Sequence, residues 1–461
     1  MKYSGAASFS LLFPAPPYSF ENKFDMKNQD DDPYNENMDP INELSKFPLM
    51  HAIFGRRARR FGYGMEIPSG PLAYKSKHKA LPLSELEQAV LIAAGTGVTG
   101  WNFGVPFGPD RPYEHAHYTH RLTGRTFPTA GGFGTPAMLY TDDKGTYITN
   151  TRDVEPSAIT ELGEDLANST QSIMDVCRKH TTQLSNERLD LPAAPPHMLE
   201  PNLWMANTPG STLFMPIGDA SEQVLALLSM AISNGNIIMD DDMGTTAGNL
   251  KPFIESGLLN ENKRTPLSVL HQMAYEANCS ELAFMCHNMV LTLQAMGLGG
   301  LYFNGMNRWS ILGAFEEQGI NGMGFTFVRN EQWTVPNPVG LKGVYEALCP
   351  PWFSDMRTAV EAFVTRKFGP DGAYAHHSRG PWKESASIRK GITPYNDEFV
   401  DCLSEVAQYI YKKHGKFPGT FSTVVMNGFV QAVHLDTEFY DKYYQPGSYL
   451  STHAEHMKVW H

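Results

Sequence analysis

The chain has 461 residues, a formal net charge of −12 at pH 7 and a hydrophobic share of 42%. This length favours two domains or one core with large additions, and the acidic balance argues against non-specific binding to nucleic acid. No apolar run approaches the roughly 20 residues that span a bilayer, so we expect a soluble, cytoplasmic protein without a membrane partner. The five cysteines have no metal-finger or thioredoxin spacing, which indicates reduced thiols.

Composition shifts divide the chain into five predicted segments. Residues 1–48 are rich in proline and polar residues and predict an N-terminal extension. Residues 49–150 and 211–345 predict two parts of one core, separated by a helical and loop insertion at 151–210. Residues 346–461 predict a C-terminal addition that is rich in histidine and aromatic residues.

A capping box predicts the start of a helix in the first half of the chain. Ser84 stands at the N-cap and Glu87 follows three residues later, so each side chain can bond the other's main-chain amide. An apolar face follows, and Gly95 and Gly97 end the pattern. Further along, the Asp-Asp-Lys-Gly turn at 142–145 lies between two β-prone runs and predicts a hairpin.

Three further stretches predict helices, near 220–233, 280–296 and 398–412. The middle one has the strongest signal, because its apolar residues recur at steps of three and four and form one wide stripe. Gly297 then supplies the C-terminal stop.

Three stretches carry the candidate binding chemistry. Four arginines lie within positions 56–60, and the planar arginine fork suits phosphate, so the run predicts a phosphate clamp, with a solvated basic face as the alternative. Small residues at 128–132 precede a strand-like run, and a glycine-rich turn at 297–300 follows the long helix. Without bulky side chains, such loops let main-chain N–H groups approach a flat polar ligand.

Together these stretches resemble the flavin-dependent nitroreductase superfamily, and within it the FMN dehydrogenases that oxidise azolines in thiazole/oxazole-modified peptides. The family's arginine run has a serine where this chain has Ala58, and its Pro-Ser-Ala-Gly loop has a serine where this chain has Thr129. Asn102 is an alternative flavin ligand, because ordinary nitroreductases place an asparagine after a Ser-x-x run. The other cofactor-binding residues that the resemblance implies are Arg56, Arg57, Arg59, Pro128, Thr129, Ala130, Gly131, Gly132, Gly297, Leu298, Gly299 and Gly300.

The resemblance covers roughly 50–150 and 210–345. It implies an α+β, nitroreductase-like core, in which helices flank a mixed, largely antiparallel sheet, and an intertwined homodimer that binds FMN between subunits. The implied activity is that of an FMN-dependent oxidoreductase that moves electrons or hydride to or from an organic small molecule or a modified peptide. NAD(P)H is an electron donor and oxygen an electron acceptor that would suit this chemistry. The insertion and the C-terminal addition have no family counterpart, so the substrate cannot be inherited.

The first histidine group precedes the loop at 128–132. His115, His117 and His120 are close in sequence, but no carboxylate stands at a recognisable metal-ligand spacing. We interpret them as pocket or surface histidines, and His117 and His120 as candidate proton donors to a substrate.

The second histidine group is C-terminal. On a strand His434 and Asp436 would share a face, and on a helix His453 and His456 would share one, with His461 close by. The many aromatic neighbours favour packed, hydrogen-bonded histidines, and we therefore assign no metal ligand. The alternative functions are a metal-assisted hydrolase that uses this cluster and a non-catalytic binding protein on a degenerate flavin fold.

Overall fold

The computed structural model describes residues 39–105, 121–156, 166–375 and 379–461. His117 and His120 lie outside the described residues. The part from Asp39 to His461 is one compact unit, and the domain boundaries expected from composition stay predictions. Among the described helices, none is long and apolar enough to cross a membrane.

Seventeen strands, some of only two residues, are present in the described residues. They are β1 (Glu66–Ile67), β2 (Tyr74–Lys75), β3 (Val98–Trp101), β4 (Thr123–Arg125), β5 (Ala137–Asp142), β6 (Gly145–Thr149), β7 (Thr181–Ser185), β8 (Thr212–Asp219), β9 (Asn236–Asp240), β10 (Thr245–Thr246), β11 (Asn260–Pro266), β12 (Gly299–Phe303), β13 (Thr326–Val328), β14 (Asn337–Leu341), β15 (Tyr345–Glu346), β16 (Val424–Val425) and β17 (Phe429–Val433).

The central sheet runs in the order β12-β17-β8-β5-β6-β7, and β16 pairs with β8 beside this path. All of its pairings are antiparallel. A parallel pairing joins β11 to β9 in a smaller sheet. The predicted mixed α+β class with largely antiparallel sheets is confirmed, and so is the hairpin at 142–145, which joins β5 to β6.

The described residues form thirteen α-helices. They are α1 (Pro40–Lys46), α2 (Leu49–Gly55), α3 (Glu85–Thr96), α4 (Leu166–Lys179), α5 (Ala220–Ser233), α6 (Lys251–Glu255), α7 (Leu267–Met296), α8 (Arg308–Leu312), α9 (Met356–Phe368), α10 (Ser385–Lys390), α11 (Asp397–His414), α12 (Thr437–Tyr443) and α13 (Ser451–Trp460).

The predicted start of α3 and the predicted stop of α7 agree with the structure, but the predicted start of α7 at 280 is wrong. Ser84 accepts from the Glu87 amide and Glu87 accepts from the Ser84 amide, so the capping box of α3 is confirmed. The long helix α7 begins at Leu267, well before the predicted start at 280, and its predicted apolar stripe is buried. Gly297 ends α7 in the left-handed conformation, with φ 78°, which a residue without a Cβ adopts readily.

Both faces of the central sheet are buried. Along β5, Met138 and Tyr140 pack in one core cluster with residues of α3 and α7. Ala137 and Leu139 alternate with them and pack in a second cluster with side chains such as Met215. This period of two is typical of a strand that is covered on both sides.

Three distant parts of the chain meet beside the end of α7. Gly299 opens β12 and pairs with Val433, the last residue of β17. The main chain of Arg59 forms an isolated bridge with Gly300, and Gly62 forms one with Leu435. The arginine run, the glycine turn and the start of the C-terminal histidine segment are therefore neighbours.

The prediction that His434 and Asp436 share a strand face is wrong. β17 ends at Val433, and Asp436 caps α12 by accepting from the main-chain amide of Phe439. Aspartate is favoured at an N-cap, because its carboxylate satisfies an amide that has no partner inside the helix. The chain therefore turns into a helix where the sequence suggested that the strand would continue.

Candidate functional site

The arginine run lies between α2 and β1, and its members differ in exposure. Arg56, Arg57 and Arg60 are exposed, whereas Arg59 is buried at 2% exposure. The Gly300 amide donates to the Arg59 carbonyl over 2.7 Å. Two of the three stretches predicted to bind a flavin are thus in direct contact.

The guanidinium of Arg59 is directed into the protein. It donates to the side chain of Gln294 over 2.5 Å and to the carbonyls of Ser448 and Gly55 over 2.9 and 3.2 Å. Burial lowers the pKa of Arg59 to about 10. Its role as a phosphate ligand stays a prediction, and it would require these protein acceptors to be exchanged for phosphate oxygens.

A cavity of about 440 Å³ opens beside the arginine run. We call it the arginine–aromatic cavity, because Arg57 and Arg60 line it together with aromatic side chains. This volume lies within the range of small-molecule sites, about 300–1,000 Å³. The aromatic residues that line it are Phe61, Trp204, Phe439, Tyr440 and Tyr444.

The aromatic wall of this cavity is held in place by its own packing. Phe61 stacks on Phe439 with ring centroids 4.4 Å apart and on Trp204 with centroids 6.3 Å apart. The Phe61 amide donates to the hydroxyl of Tyr440 over 3.2 Å. Burial raises the pKa of Tyr440 to about 12, so this wall is an uncharged aromatic surface at neutral pH.

Arg57 is also oriented by the main chain. Its Nη1 donates to the carbonyls of Phe54 and Arg56 over 3.1 and 2.8 Å. A cationic side chain that hydrogen bonds already hold in place loses less conformational freedom when it binds an anion. The cavity therefore combines flat apolar surface with positive charge, which suits a planar ligand that carries an anionic group.

The loop at 128–132 lies elsewhere along α7. The Thr129 hydroxyl accepts from the Phe133 amide over 3.1 Å and also bonds Glu281, a buried residue of α7. At about 1.5 Å per residue, Glu281 is roughly 24 Å along the helix axis from Gly297. One copy of the chain therefore does not bring this loop to the arginine run and the glycine turn.

The remaining predicted flavin ligands lie in the loop at 128–132, beside β3 or in the glycine turn after α7. Gly131 and Gly132 are buried, and the Gly132 carbonyl accepts from the Arg121 amide over 3.0 Å, whereas Pro128 and Ala130 are exposed. Asn102 follows β3, and its amide donates to the Leu122 carbonyl over 2.8 Å. Leu298 and Gly299 are buried beside Gly300. As cofactor ligands, all of these residues stay predictions.

Three of the C-terminal histidines cluster around a carboxylate that the sequence did not associate with them. His434, His456 and His461 gather around Glu87, and one donor atom from each of the four lies within 4.8 Å of the others. His453 lies outside this group, and its Nδ1 accepts from the Leu450 amide. Glu87 was recognised only as a capping residue, because it lies far from the histidines in sequence.

Comparison with known proteins gives structural similarity to solved structures and no sequence family. No protein-family model matches the chain, and no curated protein matches it. A crystal structure from Ralstonia eutropha JMP134, described as that of a putative nitroreductase, is similar over 57% of this chain and 72% of that chain. The TM-score is 0.26 and the sequence identity is 12%.

Proposed function

We propose that this protein is an FMN-dependent oxidoreductase and that the arginine–aromatic cavity holds its cofactor. One observation carries the proposal: the arginine run, in which the sequence predicts a phosphate clamp, lines a cavity whose other wall is aromatic. FMN combines a phosphate with a flat ring system, so its two ends match these two surfaces. When bound, the flavin supplies the electron or hydride transfer itself.

The chain's own residues would bind and shield the cofactor. Arg57 and Arg60 would hold the phosphate, since both are exposed and line the cavity. Trp204, Phe439 and Tyr444 would cover the ring and exclude water from it. Arg59 also lines the cavity, and its guanidinium fixes the run to α7 through Gln294.

The other parts of the proposal rest on the resemblance of the sequence. They are an organic small molecule or modified peptide as substrate, NAD(P)H as electron donor, and a homodimer. In a homodimer a second copy would have to supply the Thr129 loop, because one copy holds this loop far along α7 from Gly297. His117 and His120 stay the proposed proton donors.

The test is whether FMN binds and where. The full chain should purify with a flavin spectrum or take up FMN added to it, with quenching of flavin fluorescence. The double variant Arg57→Ala/Arg60→Ala should bind FMN at least about 10-fold more weakly, because each charge-assisted hydrogen bond contributes about 1.5–3 kcal/mol.

A matched control is the double variant Arg178→Ala/Lys179→Ala, which removes two exposed cations from α4. It changes the net charge equally but leaves the cavity intact, so its FMN affinity should equal that of the wild type. A protein that neither carries nor binds FMN would refute the proposal. Equal weakening in both double variants would show that the cavity is not the site.

A further inference from the structure

Four side chains from three distant parts of the chain meet at one buried point. Glu87 lies in α3, His434 directly follows β17, His456 lies in α13, and His461 follows that helix. Their side chains are 0%, 1%, 3% and 25% exposed, in that order. Three of the four are thus almost completely withdrawn from water.

The donor atoms face one another at short range. From Oε1 of Glu87 the distances to Nε2 of His434, His456 and His461 are 3.3, 2.8 and 3.4 Å. Nε2 of His434 and Nε2 of His461 are 3.1 Å apart. Imidazole nitrogen and carboxylate oxygen bind zinc-like ions at about 2.0–2.2 Å, so the corners of a tetrahedral site stand roughly 3.3–3.6 Å apart. Three of the four measured separations are close to that spacing.

Main-chain carbonyls fix the orientation of two of the imidazoles. Nδ1 of His434 donates to the carbonyl of Leu81, and Nδ1 of His456 donates to the carbonyl of Met296, each over 2.8 Å. A carbonyl can only accept, so the proton is on Nδ1, and in a neutral imidazole the lone pair of Nε2 then faces the cluster. Metal-bound histidines in proteins are oriented by bonds of this kind.

The carboxylate is fixed in the same way. Oε2 of Glu87 accepts from the Ser84 amide over 2.6 Å, which leaves Oε1 directed at the histidines. Nε2 of His456 lies 2.8 Å from this oxygen, which is within ion-pair distance. A neutral Nε2 and a carboxylate oxygen at this distance repel each other, so either a proton or a bound metal ion must lie between them.

We propose that Glu87, His434, His456 and His461 bind a divalent transition-metal ion. Three imidazoles and one carboxylate suit zinc, iron(II), cobalt or nickel. The set lacks the thiolates that select copper(I) and the oxygen-rich shell that calcium and magnesium require. Glu87 and the three histidines do not line the arginine–aromatic cavity among its described residues, so this inference stands or falls independently of the flavin.

His461 differs from the other three ligands. It is the most exposed, and its ring contacts in the described structure are to His434, His456 and Glu87. The site therefore consists of three fixed ligands and one that can exchange with water. Loss of His461 should weaken metal binding less than loss of His456.

The experiment uses the full chain without a histidine tag. The metal content after purification without chelators is measured by mass spectrometry, and the apo protein is titrated with Co²⁺ and with Zn²⁺. The wild type should bind one equivalent and show the visible absorption bands of four-coordinate Co²⁺. Glu87→Gln should bind at least about 100-fold more weakly, and because glutamine also serves at the third position of a capping box, this variant keeps the start of α3.

His456→Ala should lose the ion and His461→Ala should bind with intermediate affinity. His453→Ala is the control, since His453 is as deeply buried in α13 but lies outside the cluster. Circular dichroism establishes that each variant is folded. A wild type that takes up neither ion, or a Glu87→Gln variant with wild-type affinity, would overturn the inference and leave a purely structural cluster of hydrogen bonds.

Discussion

Nη1 of Arg59 donates to Oε1 of Gln294 over 2.5 Å and thereby fastens the arginine run to the last turn of α7. The same guanidinium satisfies the carbonyls of Ser448 and Gly55. One buried cation thus joins three parts of the chain that are far apart in sequence.

Replacement of this cation should destabilise the fold. Arg59→Ala leaves buried acceptors without donors, and we expect the free energy of unfolding to fall by about 3 kcal/mol. Urea unfolding without added flavin measures it. Arg60→Ala removes an exposed neighbour and should change stability by no more than about 0.5 kcal/mol; equal effects of the two substitutions would mean that the contacts of Arg59 contribute little.

A second prediction concerns the glycine that ends α7. Gly297 has φ 78°, and a Cβ there would lie 2.0 Å from the Thr452 carbonyl oxygen. Gly297→Ala should therefore lower the free energy of unfolding by about 2 kcal/mol more than the left-handed conformation alone would, and it should shift α13. Hydrogen exchange in α13 and thermal unfolding measure the two effects.

Gly343→Ala is the matched control for this substitution. Gly343 has φ 69°, but no atom lies within 4 Å of a Cβ at this position. It should show only the penalty of the left-handed conformation, about 1–2 kcal/mol. If both variants lost the same stability, the close approach of Thr452 to α7 would be unimportant.

Lys367 should make stability depend on pH. Lys367 is 1% exposed, and burial lowers its pKa from 10.5 to about 7. Between these values the unfolded chain binds more protons than the folded chain, so the free energy of unfolding should rise with pH, by at most about 1.4 kcal/mol per unit. Tyr395, whose hydroxyl is 3.4 Å from the amine, has a pKa raised to about 12 by burial and stays neutral in this window.

Lys367→Met keeps the approximate volume and removes the titration. We expect this variant to be the more stable one at pH 7 and to lack the rise between pH 7 and pH 9 in urea unfolding. Lys412→Met, at an exposed position of α11, should keep the rise. An unchanged slope in Lys367→Met would assign the pH dependence to other groups.

Glu281 should make the free energy of unfolding fall as pH rises, and it should do so at lower pH than Lys367. Burial raises its pKa from 4.5 to about 7, against hydrogen bonds from Thr129 and from the amide of Gly134. Here the folded chain binds more protons, so its contribution to stability is complete below pH 4.5 and is lost as pH rises through 7.

Glu281→Gln should abolish this loss. The free energy of unfolding of the variant, relative to that of the wild type, should rise by up to about 3 kcal/mol from pH 4.5 to pH 8. Urea unfolding at both pH values measures this difference. Glu276→Gln, on an exposed position of the same helix, serves as the control and should gain nothing. A gain of the same size in the control would exclude Glu281 as the source.

The sequence predicted the features that depend on neighbouring residues. The capping box at Ser84 and Glu87, the helix at 220–233 and the stop at Gly297 need only local spacing, and all three agree with the structure. The buried reduced cysteines were also expected: all five are free, and only Cys279 is half-buried.

The features that depend on distant contacts could not be predicted in this way. Arg59 and Arg60 are adjacent and chemically identical, but only the fold decides that one is buried against Gln294 and the other is exposed. Likewise, the spacing of the C-terminal histidines gave no indication that Glu87 would complete their cluster. The local sequence pattern predicts that Glu87 caps a helix, whereas its contact with the histidines depends on the tertiary fold.

Glu87 illustrates this double use of a single group. One oxygen serves the first turn of α3 and the other faces histidines from the far end of the polypeptide. Rotation of this carboxylate would therefore break the cap of α3 and remove the contact with the histidines at the same time. The cluster thus depends on the local order of residues 84–87.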